Sequence, residues 1–208
     1  FDMFYRGRYA KPAGMVYDCF DETACVVDPF PIPDNWLWYV GHDFGGSNPA
    51  ALLYAQDPAT GLLWLVNEYF PSAKSVHDQV EELKALTAGR IVLRRMGGNL
   101  TSEQGWRDSY TAQGWPIMPP SVKDVDVGIA RVYSWHKRNA IMVFRHCKRY
   151  LNEKMSYSYK LGDGYDVLDE IQDKSRFHMM DAERYIISGF PQEAVRRRGP
   201  NQTSVNHW

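Results

Sequence analysis

Apolar residues are spaced along this chain in two ways. Trp36 to Gly45, Ala50 to Gln56 and Leu62 to Phe70 are short runs rich in aromatic and aliphatic side chains, separated by Gly45-Gly46-Ser47-Asn48-Pro49 and Asp57-Pro58-Ala59-Thr60-Gly61. Runs of this kind between turn-forming residues predict a three-stranded antiparallel meander. The spacing then lengthens. Val76, Val80, Leu83 and Leu86 recur at helical intervals within Ser72 to Gly89, and Gly89 stands where a helix is expected to stop.

Beyond that helix the two patterns alternate. Ile91-Val92-Leu93, Pro116-Ile117-Met118 and Ile141-Met142-Val143 read as short buried strands. Between and after them lie expected helices from Thr101 or Ser102 to Gln113, from Val125 to about Arg138 with Asp124 as its cap, and from Arg145 to Lys154. Ser156 to Asp173, around Gly162-Asp163-Gly164, reads as a β-hairpin, and Ser175 to Ser188 as a final helix. Residues 1–35, with Pro29, Pro31 and Pro33 in alternation, are expected to form an extended lead-in, and residues 191–208, with Arg196-Arg197-Arg198, a basic flexible tail. The expected domain is therefore residues 36–190. Three antiparallel strands followed by helices alternating with short strands is the order of a ribonuclease-H-like α/β fold: a mixed central sheet, its later strands parallel, with helices on both faces.

Composition narrows the class. A chain of 208 residues that is 44% hydrophobic and 24% charged is able to bury a full core. With a formal net charge of -1, binding to a polyanion would rest on local patches such as Arg94-Arg95, Lys137-Arg138 and the run Arg145 to Arg149. That last run otherwise reads as a solvated helix face. Three cysteines, Cys19, Cys25 and Cys147, make neither a disulfide framework nor a zinc knuckle, which fits a reducing, intracellular setting. No apolar run reaches the length of a membrane span, so no membrane partner is expected. The chain opens on Phe1, as expected of a segment of something longer.

Two acidic motifs carry the chemistry. Gly41-His42-Asp43-Phe44-Gly45-Gly46 places Asp43 near the middle of the first expected strand, and His178-Met179-Met180-Asp181-Ala182-Glu183-Arg184-Tyr185 places Asp181 on the closing helix. Aspartate is disfavoured in strands, and a buried charged one needs a partner, which a divalent cation supplies. A turn-forming role beside Gly45-Gly46 is the alternative for Asp43. His178 lies three residues before Asp181, hence on the same helix face, as a further metal ligand, a proton carrier, or a solvent-facing cap. His42 must face the opposite side of the sheet from Asp43 and is a poor ligand. Glu183 and Arg184 read as structural, and Asp124 and Asp126 as residues of a helix start.

The stretch GHDFGGSNPAALLYAQDPATGLLWLVNEYF resembles the start of the nuclease domain of tailed-phage large terminase subunits, with their Gly-x-Asp-x-Gly turn, Asn-Pro and later Glu-Tyr. FHMMDAERYII resembles that family's closing helix and DVDVGIARV an intervening one, so that the likeness covers roughly residues 4–190. It implies a Mg²⁺- or Mn²⁺-dependent endonuclease that cuts concatemeric double-stranded DNA with little sequence specificity, by a two-metal mechanism. It further implies an ATPase domain in the same full-length protein, the portal and the small terminase subunit as partners, and a place in the host cell cytoplasm at the procapsid. No Gly-x-x-x-x-Gly-Lys-Ser/Thr loop occurs in this chain, so the ATPase half is not here.

Carried over by motif, Asp43 and Asp181 match the family's metal-binding carboxylates. Many members carry a further Asp at the end of the strand after the first helix, where this chain reads Arg94-Arg95-Met96-Gly97-Gly98-Asn99. Glu68 and Glu103 are the substitutes on offer; a strand-end surface charge and an N-terminal-turn carboxylate favoured by the helix dipole are their alternative roles. A recombinase or junction resolvase of the same fold, or a catalytically weak domain that docks DNA or the portal, are the rival functions.

Overall fold

The computed structural model describes residues 14–45, 49–164 and 166–191. The three runs that open the expected domain are strands β2 (Leu37–Asp43), β3 (Ala50–Gln56) and β4 (Leu63–Tyr69), paired antiparallel in sequence order. Helix α2 (Val76–Leu86) follows, its first turn capped by the Ser75 hydroxyl, which accepts from the Asp78 amide. Strand β5 (Val92–Gly97) then returns beside β2 in parallel, and β6 (Ile141–Phe144) lies parallel to β4 on the other side. The sheet has six strands, with β1 at Val26–Val27, in the order β1-β6-β4-β3-β2-β5, the mixed arrangement of a ribonuclease-H-like fold.

The sixth strand was not expected. Val26–Val27 (β1) pairs parallel with β6 through Val26 to Val143 and Val27 to Phe144, straight after the one-turn helix α1 (Glu22–Cys25). Tyr17, Phe20 and Cys25 are buried in the core with it. The sheet therefore begins inside the stretch expected to be a lead-in, not at Trp36; residues 1–13 lie outside the described ones. So does the expected tail beyond residue 191.

Other boundaries move for physical reasons. Residues 116–118 do not form a strand but meet β5 at one parallel bridge, Met96 to Met118, because Pro116, Pro119 and Pro120 withhold the amides a ladder needs. A 3₁₀ turn, Thr101–Glu103, leads into α3 (Gln104–Ala112), and another, Lys174–Arg176, leads into α6 (His178–Ile187). Between these stand α4 (Val125–Lys137), with Asp124 accepting from the Val127 amide, and α5 (Lys148–Ser156), which starts three residues later than expected. Strands β7 (Tyr159–Leu161) and β8 (Val167–Ile171) form the expected hairpin.

Neighbouring residues of one strand show that both sheet faces are covered. Gly41 meets Ala182 of α6, whereas His42, on the opposite side, accepts from the Trp115 indole at 3.0 Å and packs beside Tyr110 of α3. Asp43, two residues from Gly41, belongs to the α6 face. No helix among the described residues is long and apolar enough to cross a membrane.

Candidate metal centre

Asp43 is the last residue of β2, at the strand end and not its middle, and is 7% exposed. Its neighbour two positions back fixes what it faces. A methyl group on Gly41 would stand 2.2 Å from the Ala182 carbonyl oxygen, so the missing side chain is what allows α6 to lie directly on β2. Ala182 follows Asp181, and the helix starts at His178; one close approach thus sets His178 against Asp43 and brings the charge of Asp181 within its influence.

His178 Nδ1 stands 2.7 Å from Asp43 Oδ2, and its ring leans on Phe70. Burial pushes the Asp43 carboxyl above the usual carboxylate range, against the pull of His178, and the negative charges of Asp181 and Glu103 push it further. The bond to Asp43 in turn raises the His178 imidazole. Asp181 accepts from Arg184 Nη2 at 2.8 Å, and the stem of that arginine lies where Gly128 of α4 has no side chain. Glu103 bends back to accept from the Leu100 amide at 2.6 Å. Asp181, Asp43 and Glu103 also act together on one buried hydroxyl, that of Tyr185, which its burial and their charges hold protonated.

Three acids therefore share one electrostatic neighbourhood, yet each is turned to a different partner: Asp43 to His178, Asp181 to Arg184, Glu103 to a backbone amide. Among the described residues no group of three or more His, Cys, Asp or Glu side chains stands in metal-holding geometry. The donor set nonetheless suits a hard divalent cation. It consists of carboxylate oxygens, and a cation would supply the buried Asp43 carboxylate, raised first by burial and then by the charges of Asp181 and Glu103, with a counter-charge.

Glu68 is elsewhere engaged. Its two oxygens accept from the amides of Arg149 at 3.0 Å and Tyr150 at 2.7 Å, so it anchors the first turn of α5, whose N–H groups have no partner within the helix. The strand-end position without an acid has a steric reason: a side chain at Gly97 would come within 2.4 Å of the His42 carbonyl oxygen. The basic run is solvent-exposed except at Cys147, and most of its side chains have partners in the chain. Arg145 pairs with Asp28, His146 bonds the Val66 carbonyl, Cys147 is buried, and the Arg149 guanidinium lies 3.4 Å over the Phe70 ring.

Sequence reasoning marked Glu183 as structural but missed what it holds together. Its carboxylate is fully buried, paired with the equally buried Lys154, 3.1 Å from His136 Nε2, and accepts from the Tyr150 and Tyr54 hydroxyls at 2.6 and 3.4 Å. Burial alone would raise its pKa, but Lys154 and His136 outweigh that and hold it at about 2. The pair ties α5 to α6 just behind Asp181. A 29-residue separation, with no shared helix face, leaves no sequence signal for it.

No protein-family model and no curated protein matches the sequence. Solved structures do. The large terminase of a thermophilic bacteriophage matches at 21% identity and a TM-score of 0.70, over 87% of this chain and 46% of that one, so this chain spans about half of that protein's length. The P22 large terminase nuclease domain matches at 16% and 0.65, over 83% and 90%. The nuclease domain of the large terminase from bacteriophage SPP1, solved with bound Mn, matches at 18% and 0.59, over 82% and 96%. The fold of this chain is the fold of the nuclease domains of phage large terminases.

Proposed function

We propose that this chain is the DNA-cutting domain of a phage packaging terminase, a Mg²⁺- or Mn²⁺-dependent endonuclease acting on double-stranded DNA. The observation that carries the reading is the seating of Asp43 beside His178 and Asp181, with Glu103 adding a third negative charge. In this reading Asp43 and Asp181 hold the cation and Glu103 stands in for the acid that Gly97 has no room to supply. His178, its Nδ1 already on Asp43, orients that carboxylate and takes or returns a proton at Nε2. Glu68 is left out, because the start of α5 uses both its oxygens. When bound, a divalent cation polarises a phosphate oxygen and makes a water nucleophilic at neutral pH. Arg184 keeps the Asp181 carboxylate from swinging away, and burial of Asp43 strengthens every charge interaction around it.

The remainder of the packaging machine follows from the same reading: an ATPase domain elsewhere in the full-length protein, the portal and small terminase subunit as partners, and action at the procapsid in the host cytoplasm. The test is nicking of supercoiled plasmid in Mn²⁺. Asp43→Asn and Asp181→Asn are each expected to abolish it with the circular dichroism spectrum unchanged, and retained cleavage in both variants rejects the assignment. A second reading, a domain that docks DNA without cutting it, is favoured by the separate partners the three acids hold. Absence of Mn²⁺ binding by calorimetry at millimolar metal would select it.

A further inference from the structure

A cleft of about 410 Å³, a size usual for small-molecule sites, has His178 among its lining residues. Its walls are α5, through Arg149, Asn152, Glu153 and Ser156, and the 3₁₀ turn before α6, through Ser175 and Arg176. The imidazole that holds Asp43 is thus also one wall of this cleft, so the cleft adjoins the proposed reaction centre.

The two arginines are presented differently. Arg149 is pre-set: its guanidinium lies flat on Phe70 and its Nε bonds Glu153, leaving both terminal nitrogens without a partner among the described residues. Glu153 pairs with that guanidinium through Oε1 at 3.2 Å and accepts from the Met179 amide through Oε2, so it fixes the arginine against the start of α6. Arg176 is 76% exposed, with only a loose 3.8 Å approach to Asp173. Planar guanidinium groups held in this way match the oxygens of a phosphodiester, and the hydroxyl and amide groups of Ser156, Ser175 and Asn152 suit a sugar-phosphate chain rather than an apolar ligand.

We propose that this cleft seats the sugar-phosphate backbone of the nucleotides next to the scissile bond, with Arg149 and Arg176 as positioning residues. The assignment rests on the nuclease reading and deepens it. Each phosphate neutralised by an arginine releases condensed counterions, so the salt dependence of DNA binding counts such contacts. Binding of a short labelled duplex is measured by anisotropy in EDTA across a salt series, for the unaltered chain and for Arg149→Ala, Arg176→Ala and Arg145→Ala, the last an exposed arginine outside the cleft.

Each cleft variant is expected to lower the slope of log affinity against log salt by about 0.9, and the double variant by about twice that, while Arg145→Ala leaves it unchanged. A merely structural arginine would not move this slope. Arg176→Ala removes a solvent-exposed side chain and keeps the test valid if Arg149→Ala fails to fold. Unchanged slopes in a chain that still nicks plasmid overturn the cleft assignment alone. Should the unaltered chain neither bind the duplex nor nick, the nuclease reading falls and takes this one with it.

Discussion

The backbone of Ala182 rests on Gly41, strand against helix with no side chain between them. Any added carbon there forces α6 outward and separates His178 and Asp181 from Asp43. Gly41→Ala is expected to cost about 1–3 kcal/mol, as overpacked sites do. Nicking should fall further than the unfolded fraction measured by urea denaturation accounts for. A well-folded Gly41→Ala chain with full Mn²⁺-dependent nicking would show that this approach does not set the site.

Lys154 and Glu183 form a charged pair whose two side chains are both 0% exposed and lie in the core between α5 and α6. Removing one partner strands the other. Lys154→Met should destabilise the chain by about 3–5 kcal/mol, and Lys154→Met combined with Glu183→Leu by less than the sum of the single changes. Additive losses in a double-mutant cycle would refute the coupling.

The same glutamate predicts an acid dependence. Its folded pKa of about 2 lies below its ordinary 4.5, so its stabilisation is complete above pH 4.5 and disappears as pH falls through about 2. In urea titrations at successive pH values, the stability gap between the unaltered chain and Glu183→Gln should be constant at neutral pH and narrow only in that window. A gap that widens on acidification contradicts an ionised Glu183.

Glu68 separates anchor from ligand. As the acceptor for the Arg149 and Tyr150 amides it should, on change to Ala, cost about 0.5–2 kcal/mol, the range of a lost helix cap, while folded Glu68→Ala nicks DNA at near its original rate. A selective fall in Mn²⁺ affinity, with thermal stability intact, would return Glu68 to the metal site.

Much of the architecture was legible because apolar runs of the strand and helix periods are bounded by Gly, Pro, Ser and Asp. Asp43 was legible as a carboxylate out of place in a strand, and the His178–Asp181 spacing put both on one helix face. Strand β1 was not legible: two valines flanked by a one-turn helix and prolines carry no period, and only their pairing with Val143 and Phe144 defines them. The Lys154–Glu183 pair was hidden for a related reason, since a charge is read as exposed until its partner is known. Gly41 could have been found, because a glycine two residues before a functional strand residue marks the same face and a close approach.

The pairing of Val26–Val27 with β6 also decides where this molecule tolerates being cut. A shortened chain starting at Trp36 would lose Tyr17, Phe20 and Cys25 from the interior and leave β6 as a bare rim of unpaired amides and carbonyls, ready to stack on its own kind. Residues 17–27, poor in chemistry as they are, act as the hem that guards this edge of the sheet.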